Sequence, residues 1–93
     1  MYERILQVFR NRIRTLDYVV PLHADEEIDE DDLSVFDLEN AVLTGEIVGR
    51  QRDLRTRQWK YIISGNALDD SKVCVVGKLS VTGRVVIITV YRE

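Results

Sequence analysis

The chain has 93 residues, with 13 lysines and arginines against 16 aspartates and glutamates, and its formal net charge is −3. This length fits one domain, residues 1–93, and 45% apolar with 31% charged residues is typical of a globular protein, which argues against disorder and membrane proteins. Because no signal-like segment and no long apolar run is present, we expect a cytoplasmic protein without membrane contact.

Three helices are predicted in the first half of the chain. Apolar residues at three- and four-residue steps predict a helix from about Tyr2 to about Leu16. A short extended run, Tyr18-Val19-Val20, precedes Pro21, and a brief second helix follows over Leu22 to Glu30. Ser34 and Asp37 fit a capping box that starts a third helix, which Gly45 would end in a position that tolerates positive φ. The stripe of the first helix comprises Ile5, Val8, Phe9, Ile13 and Leu16.

After Gly45 the apolar pattern becomes extended. Short connections between consecutive strands favour an antiparallel meander. Helices followed by strands predict an α+β domain, in which the N-terminal helices pack on one face of a four-stranded, mainly antiparallel C-terminal sheet and leave the other face open. The single cysteine, Cys74, excludes an intrachain disulfide and reads as a small buried hydrophobe. The strand candidates are Glu46 to Arg52, Trp59 to Ser64, Ser71 to Leu79 and Arg84 to Arg92.

Residues 46–60 form a cationic segment in a chain that is acidic overall. Residues 25–45 contain nine acidic residues and no lysine or arginine, whereas residues 46–60 contain five cations and two acids. Guanidinium groups beside Trp59 and Tyr61 are typical of surfaces that bind phosphate and stack on bases. We therefore predict an RNA-binding surface formed by Arg50, Arg52, Arg55 and Arg57, together with Arg92 near the C-terminus.

Spaced residues along most of the chain, residues 18–92, resemble a known family. They are His23-Ala24, Leu33-Ser34, Asp37-Leu38, Ala41-Val42 and Gly45-Glu46-Ile47, followed by Lys60-Tyr61-Ile62-Ile63-Ser64-Gly65 and Val86-Ile87-Ile88-Thr89-Val90-Tyr91. This pattern resembles the domain of unknown function 4258 family, which is similar to the RelE/ParE-like and BrnT-like toxins of bacterial toxin-antitoxin pairs. The family often has arginines where this chain has Glu27 and Asp31.

That resemblance implies a helical layer on a curved antiparallel sheet, as in RelE/ParE-like toxins, and metal-free cleavage of mRNA in the members that are nucleases. It also implies a cognate antitoxin, often a zinc-finger protein of the YgiT type, that covers the sheet and occludes the predicted basic strip from Arg50 to Lys60. No cofactor and no metal ion is expected for this reaction.

Metal-free RNA cleavage needs a base for the 2′-hydroxyl proton, cations for the phosphorane and a donor for the leaving oxygen. His23 or Glu27 is the candidate base, and Tyr91 or Arg92 the candidate group near the leaving oxygen. Arg50, Arg52 or Lys60 would clamp the phosphate. Each of these residues also has a structural interpretation.

In that structural interpretation, His23 hydrogen-bonds within the fold and Glu27 is an exposed acid of an acidic helix. Tyr91 then belongs to the core, and Trp59 is a core or rim aromatic rather than a stacking platform.

The leading hypothesis is a toxin-like RNA-binding domain that acts as a metal-independent mRNA endoribonuclease and pairs with an antitoxin. The alternative is a non-catalytic protein-interaction module of the same fold, which the substitution of the family arginines by Glu27 and Asp31 favours. A third candidate is a metal-dependent nuclease built on Asp53 and Lys60. The acidic run Asp25 to Asp32 is interpreted as a solvated face or as a docking surface for a basic partner.

Overall fold

Three helices and five strands make up the chain in the computed structural model, which describes all 93 residues. The α+β class and the succession of helices and then strands are confirmed. The elements are α1 (Glu3–Arg14), β1 (Tyr18–Val19), α2 (Leu22–Glu30), α3 (Val35–Thr44), β2 (Glu46–Arg52), β3 (Trp59–Asn66), β4 (Lys72–Leu79) and β5 (Val85–Arg92).

Helix α1 is shorter than predicted. Leu6, Phe9 and Ile13 are its buried residues, as the three- and four-residue spacing requires. Leu16 lies beyond the helix in a left-handed conformation (φ 58°) and is 70% exposed. Its assignment to the buried stripe is therefore wrong, because the helix ends before the chain reaches it.

The sheet has one strand more than predicted. Its order is β1-β5-β4-β3-β2, in which β2 to β5 form the expected antiparallel meander. Tyr18 and Val19 pair in parallel with Val85 and Val86, which makes the sheet five-stranded and mixed. The prediction of four strands was wrong because two residues form a strand only through hydrogen bonds to a partner strand, and here that partner is more than 60 residues away.

Helix α3 lies very close to β3, and two glycines permit this contact. The predicted capping box of Ser34 and Asp37 is present at its start. Gly45 ends the helix with φ −90°, so the predicted role in a positive-φ turn is wrong. A Cβ atom on Gly45 would lie 2.5 Å from the Ala41 carbonyl oxygen, and one on Gly65 would lie 2.0 Å from it. Glycine is needed at both positions for close approach of two backbones.

The second half of the β5 edge has no strand neighbour, and α2 covers it. The Val90 amide donates to Glu27 Oε1 at 3.3 Å, and the Arg92 amide donates to Asp31 Oδ2 at 2.9 Å. Glu27 lies on α2, and Asp31 caps the C-terminal end of this helix four residues later, so both carboxylates face β5 and substitute for the carbonyls of a missing strand. Acids at these two positions thus close the sheet edge.

Removal of the Asp31 carboxylate should destabilise the fold. In Asp31→Ala the Arg92 amide loses its acceptor, and we expect the free energy of unfolding to fall by about 1–3 kcal/mol. Asp31→Asn keeps an oxygen acceptor and should lose less. The measurement is the urea midpoint at neutral pH. Asp29→Ala, on the exposed side of the same helix, is the matched control, and equal losses in both alanine variants would contradict the edge contact.

Candidate nucleic-acid interface

The centre of the candidate interface is Trp59, at the start of β3. Arg52 pairs with Trp59 across the two strands, and Arg50 pairs with Tyr61. Because paired residues in antiparallel strands share a face, all four side chains project on the same side of the sheet. The guanidinium carbon of Arg50 lies 3.9 Å from the centroid of the Trp59 ring, and that of Arg52 lies 5.0 Å from it. Two cations are thus held against one indole ring.

The turn between β2 and β3 presents two further arginines to solvent. The Asp53 carboxylate accepts the Arg55 amide at 2.9 Å, and the Asp53 carbonyl accepts the Arg57 amide at 2.7 Å. The hydrogen bond from the Arg55 amide holds the pKa of Asp53 below its usual value. Arg57 adopts φ 60°, a conformation that costs a non-glycine residue about 1–2 kcal/mol. The turn therefore has a defined shape, and it keeps an arginine at a strained position.

Lys60 lies on the other side of the sheet from these arginines. The Tyr61 ring packs edge-on against Phe9 of α1, with centroids 5.8 Å apart, so Trp59 and Tyr61 belong to the helix-covered face. Side chains alternate along a strand, which directs Lys60 to the open face. The predicted strip from Arg50 to Lys60 is consequently not one continuous surface. Lys60 instead shares the open face with Lys78, a residue that the sequence interpretation left out of the site.

The arginines of this interface differ from several others in the chain because their side chains form no hydrogen bond and no salt bridge within the fold. Arg10 donates to the carbonyls of Val42 and Gly45, Arg12 donates to the carbonyl of Gly83, and Arg84 donates to the Asp17 carboxylate. None of the cations predicted between residues 50 and 60 forms a salt bridge. These are Arg50, Arg52, Arg55, Arg57 and Lys60. Their charge is available to an external anion.

Arg92, by contrast, is used inside the fold. Its Nε donates to the Asp31 carbonyl at 2.8 Å and its Nη1 donates to Ser71 Oγ at 2.6 Å. The Asp69 carboxylate lies 3.9 Å from Nη1. The guanidinium fastens the end of α2 and the β3–β4 turn to β5, at the end of the sheet remote from the β2–β3 turn. Arg92 therefore does not join the predicted RNA-binding arginines.

His23 and Glu27 are brought together on α2, as their spacing predicted. His23 Nε2 lies 3.6 Å from Glu27 Oε2, and the imidazole is 76% exposed. Thr89 Oγ1 lies 2.8 Å from each oxygen of the same carboxylate, which also accepts the Val90 amide. Glu27 is thus a fixed carboxylate near an accessible imidazole, at a distance somewhat longer than the hydrogen bond that orients a general base.

Lys60 and Tyr91 are not close to each other, although Tyr91 follows Val90, whose amide donates to Glu27. Tyr91 pairs with Cys74, and the neighbouring Cys74 side chain raises the pKa of Tyr91. Burial raises the pKa of the Cys74 thiol. Lys60 lies on β3, four residues from Ser64, which pairs with Cys74. Strand geometry then separates Lys60 from Tyr91 by about 13 Å along the strands and about 10 Å across them. The four predicted catalytic residues therefore do not all converge on one point, because Lys60 is remote from Tyr91.

No metal centre and no membrane-spanning helix is found. No group of three or more His, Cys, Asp or Glu side chains is arranged to hold a metal ion. None of the helices combines the length and the apolar character needed to cross a bilayer.

Comparisons with known proteins identify a family without a known activity. No curated protein and no solved structure matches the chain. A family model described as a domain of unknown function, DUF4258, matches residues 22–92. The match starts at α2 and includes α3 and strands β2 to β5, so α1 and β1 lie outside it. Since it covers most of the sequence, the chain belongs to the DUF4258 family.

Proposed function

We propose that this chain is a toxin-like RNA-binding domain, related in fold to the RelE/ParE-like and BrnT-like toxins, and that it binds RNA at the Trp59 surface. We define that surface as Trp59 with Arg50, Arg52, Arg55 and Arg57. The observation that carries the proposal is the pair of guanidinium groups held over one indole without any carboxylate partner. An arginine kept free of internal ion pairs contributes little to folding and much to anion binding.

The chemistry of the Trp59 surface fits RNA better than an isolated phosphate ion. Arginine binds phosphate through two parallel N–H donors, and its plane also stacks on bases. Four exposed arginines within eight residues can follow a backbone that carries one charge per nucleotide. The half-buried indole adds an aromatic group of the kind on which unpaired bases stack.

Loss of Arg50 and Arg52 should weaken RNA binding and reduce its dependence on salt. For the double variant Arg50→Gln/Arg52→Gln we expect at least about tenfold weaker binding at low salt and a salt slope smaller by about 1.4, because each phosphate contact on a single strand contributes about 0.7. Fluorescence anisotropy with a labelled single-stranded RNA in EDTA measures both quantities. Lys72→Gln, at the opposite end of the sheet, removes one cation away from the Trp59 surface and is the control. Binding by the double variant equal to that of the control would refute the proposal.

We further propose metal-independent RNA cleavage with His23 as the base. The exposed imidazole beside a fixed carboxylate supports this assignment. Lys60 and Tyr91 lie too far apart to act on the same phosphate. Tyr91 is retained as the candidate donor to the leaving oxygen, because it follows Val90, which contacts Glu27, and Lys60 is not retained. Cleavage would then depend on His23 and Glu27, with cations supplied by another part of the surface.

Cleavage of a mixed RNA substrate in EDTA should be lost in His23→Ala and retained in Lys72→Gln. His23 is mostly exposed, so we expect the substitution to leave the unfolding midpoint unchanged. Mapping of the cleavage ends by primer extension provides the measurement, with Lys60→Ala assayed beside the other variants. Activity that needs Mg²⁺, or that survives the loss of His23, would rule out this mechanism.

The open face of the sheet favours the alternative, a protein-interaction module. Ile62 and Val76 are paired there, and Val86 is paired with Lys78; the three apolar side chains are half-buried with no helix above them. The resemblance to toxin pairs supplies a cognate antitoxin of the YgiT zinc-finger type as the partner. It would cover Lys60 and Lys78, while the Trp59 surface lies on the other face.

A YgiT-type zinc-finger protein encoded next to this chain should form a complex with it, and the complex should depend on the open face of the sheet. We expect Val76→Glu to weaken the complex at least about tenfold, because the new carboxylate would be desolvated at the contact. Val81→Glu, at an exposed turn, is the control. Isothermal titration calorimetry measures both affinities. Unchanged binding of the Val76→Glu variant would show that the partner does not use this face.

A further inference from the structure

Two small hollows adjoin each other at the Trp59 surface. One has a volume of about 270 Å³ and is lined by Arg52, Leu54 and Arg57. The other has a volume of about 240 Å³ and is lined by Arg52, Arg57, Gln58, Trp59, Tyr61 and Leu79. Arg52 and Arg57 line both hollows, so these two side chains stand on the boundary between them. Each hollow is smaller than the roughly 300–1,000 Å³ of a pocket for a whole small molecule.

The two hollows have walls suited to flat, partly apolar groups. In the first, Leu54 is 89% exposed at the tip of a turn, where a leucine contributes nothing to the core. In the second, the Trp59 ring and Leu79 supply apolar surface, and the Gln58 amide can donate and accept hydrogen bonds. Apolar walls with one amide match the face and the edge of a nucleobase.

The boundary between the hollows is cationic. Arg52 is held over the Trp59 ring, and the backbone of Arg57 is held by the turn that the Asp53 carbonyl closes. The strained left-handed backbone of Arg57 would be relaxed by glycine or asparagine, yet an arginine occupies it. Arg57 is thus presented to solvent from a backbone conformation that it does not itself favour.

We infer that the Arg52–Arg57 pair binds one phosphate of unpaired RNA and that the two hollows receive the bases on either side of it. This inference rests on the proposed RNA binding. It adds that the bound RNA is single-stranded and that the site holds two successive nucleotides. In an A-form duplex the bases are stacked inside and the major groove is too narrow for side chains. Only an unpaired strand can turn successive bases into the hollows.

The test is a substitution that changes no charge. Leu54→Ser removes the wall of one hollow from a fully exposed turn, so we expect an unchanged unfolding midpoint and at least about threefold weaker binding of a labelled single-stranded octaribonucleotide. Binding of an RNA duplex of the same sequence should stay as it is in the wild type. Val81→Ser, at another turn and 97% exposed, is the matched control and should change neither affinity.

A second variant tests the phosphate position. Arg57→Asn suits the left-handed backbone and should leave stability unchanged or higher while it weakens binding of the octaribonucleotide at least about fivefold. Tighter binding of the single strand than of the duplex is expected for the wild type. Equal affinity for the two forms, with no effect of Leu54→Ser, would overturn the dinucleotide site and leave general RNA binding intact.

Failure of the proposed function gives a different result. The wild-type protein would then bind neither the single strand nor the duplex in EDTA at low salt. Binding of a polyglutamate peptide of equal charge as tight as that of the octaribonucleotide would also overturn the inference, because the surface would then respond to negative charge and not to RNA.

Discussion

The two edge strands of a β-sheet carry unpaired backbone groups, and in this chain one edge is covered whereas the other is exposed. The β5 edge is closed by two residues of β1 and then by the carboxylates of Glu27 and Asp31 on α2. The β2 edge has no neighbour in the chain and carries arginines and a bulge at Val48. Charges and bulges on an edge discourage pairing with another copy. The acidic edge is therefore structural, and the cationic edge remains exposed to ligands.

This division explains how an acidic protein can present a cationic surface. The acidic helix α2 and the arginines of β2 are separated by the strands between the two edges, which is at least about 14 Å for three strand spacings. The Debye length at physiological salt is about 8 Å, so the field of one edge is largely screened at the other. The net charge of −3 consequently says little about what the β2 edge binds.

The sequence predicted what depends on near neighbours in the chain. The bounds of α2 and β2 and the capping box at Ser34 follow from local spacing and were correct. The role predicted for Gly45 was wrong. A side chain there would collide with the backbone of Ala41 and of the remote Gly65, and this contact is not visible in the local sequence. The roles of Glu27, Asp31 and Arg92 were missed for the same reason. Each of them is set by partners about 60 residues away, which no local pattern reveals.

Composition located the cationic segment, but the sequence did not show that Lys60 and the arginines lie on opposite faces of the sheet. The alternation of side chains along β3 was considered for Lys60 only, and not for Trp59 and the arginines of β2. Their shared face required the register of β2 on β3, which the bulge at Val48 shifts by one residue. A strict alternation counted from Glu46 would have placed Arg50 and Arg52 on the open face with Lys60. The bulge instead turns them toward the Trp59 ring. Since His23 lies at the opposite, β5 edge of the sheet, the proposed RNA binding and the proposed cleavage depend on separate sets of residues and can be lost independently.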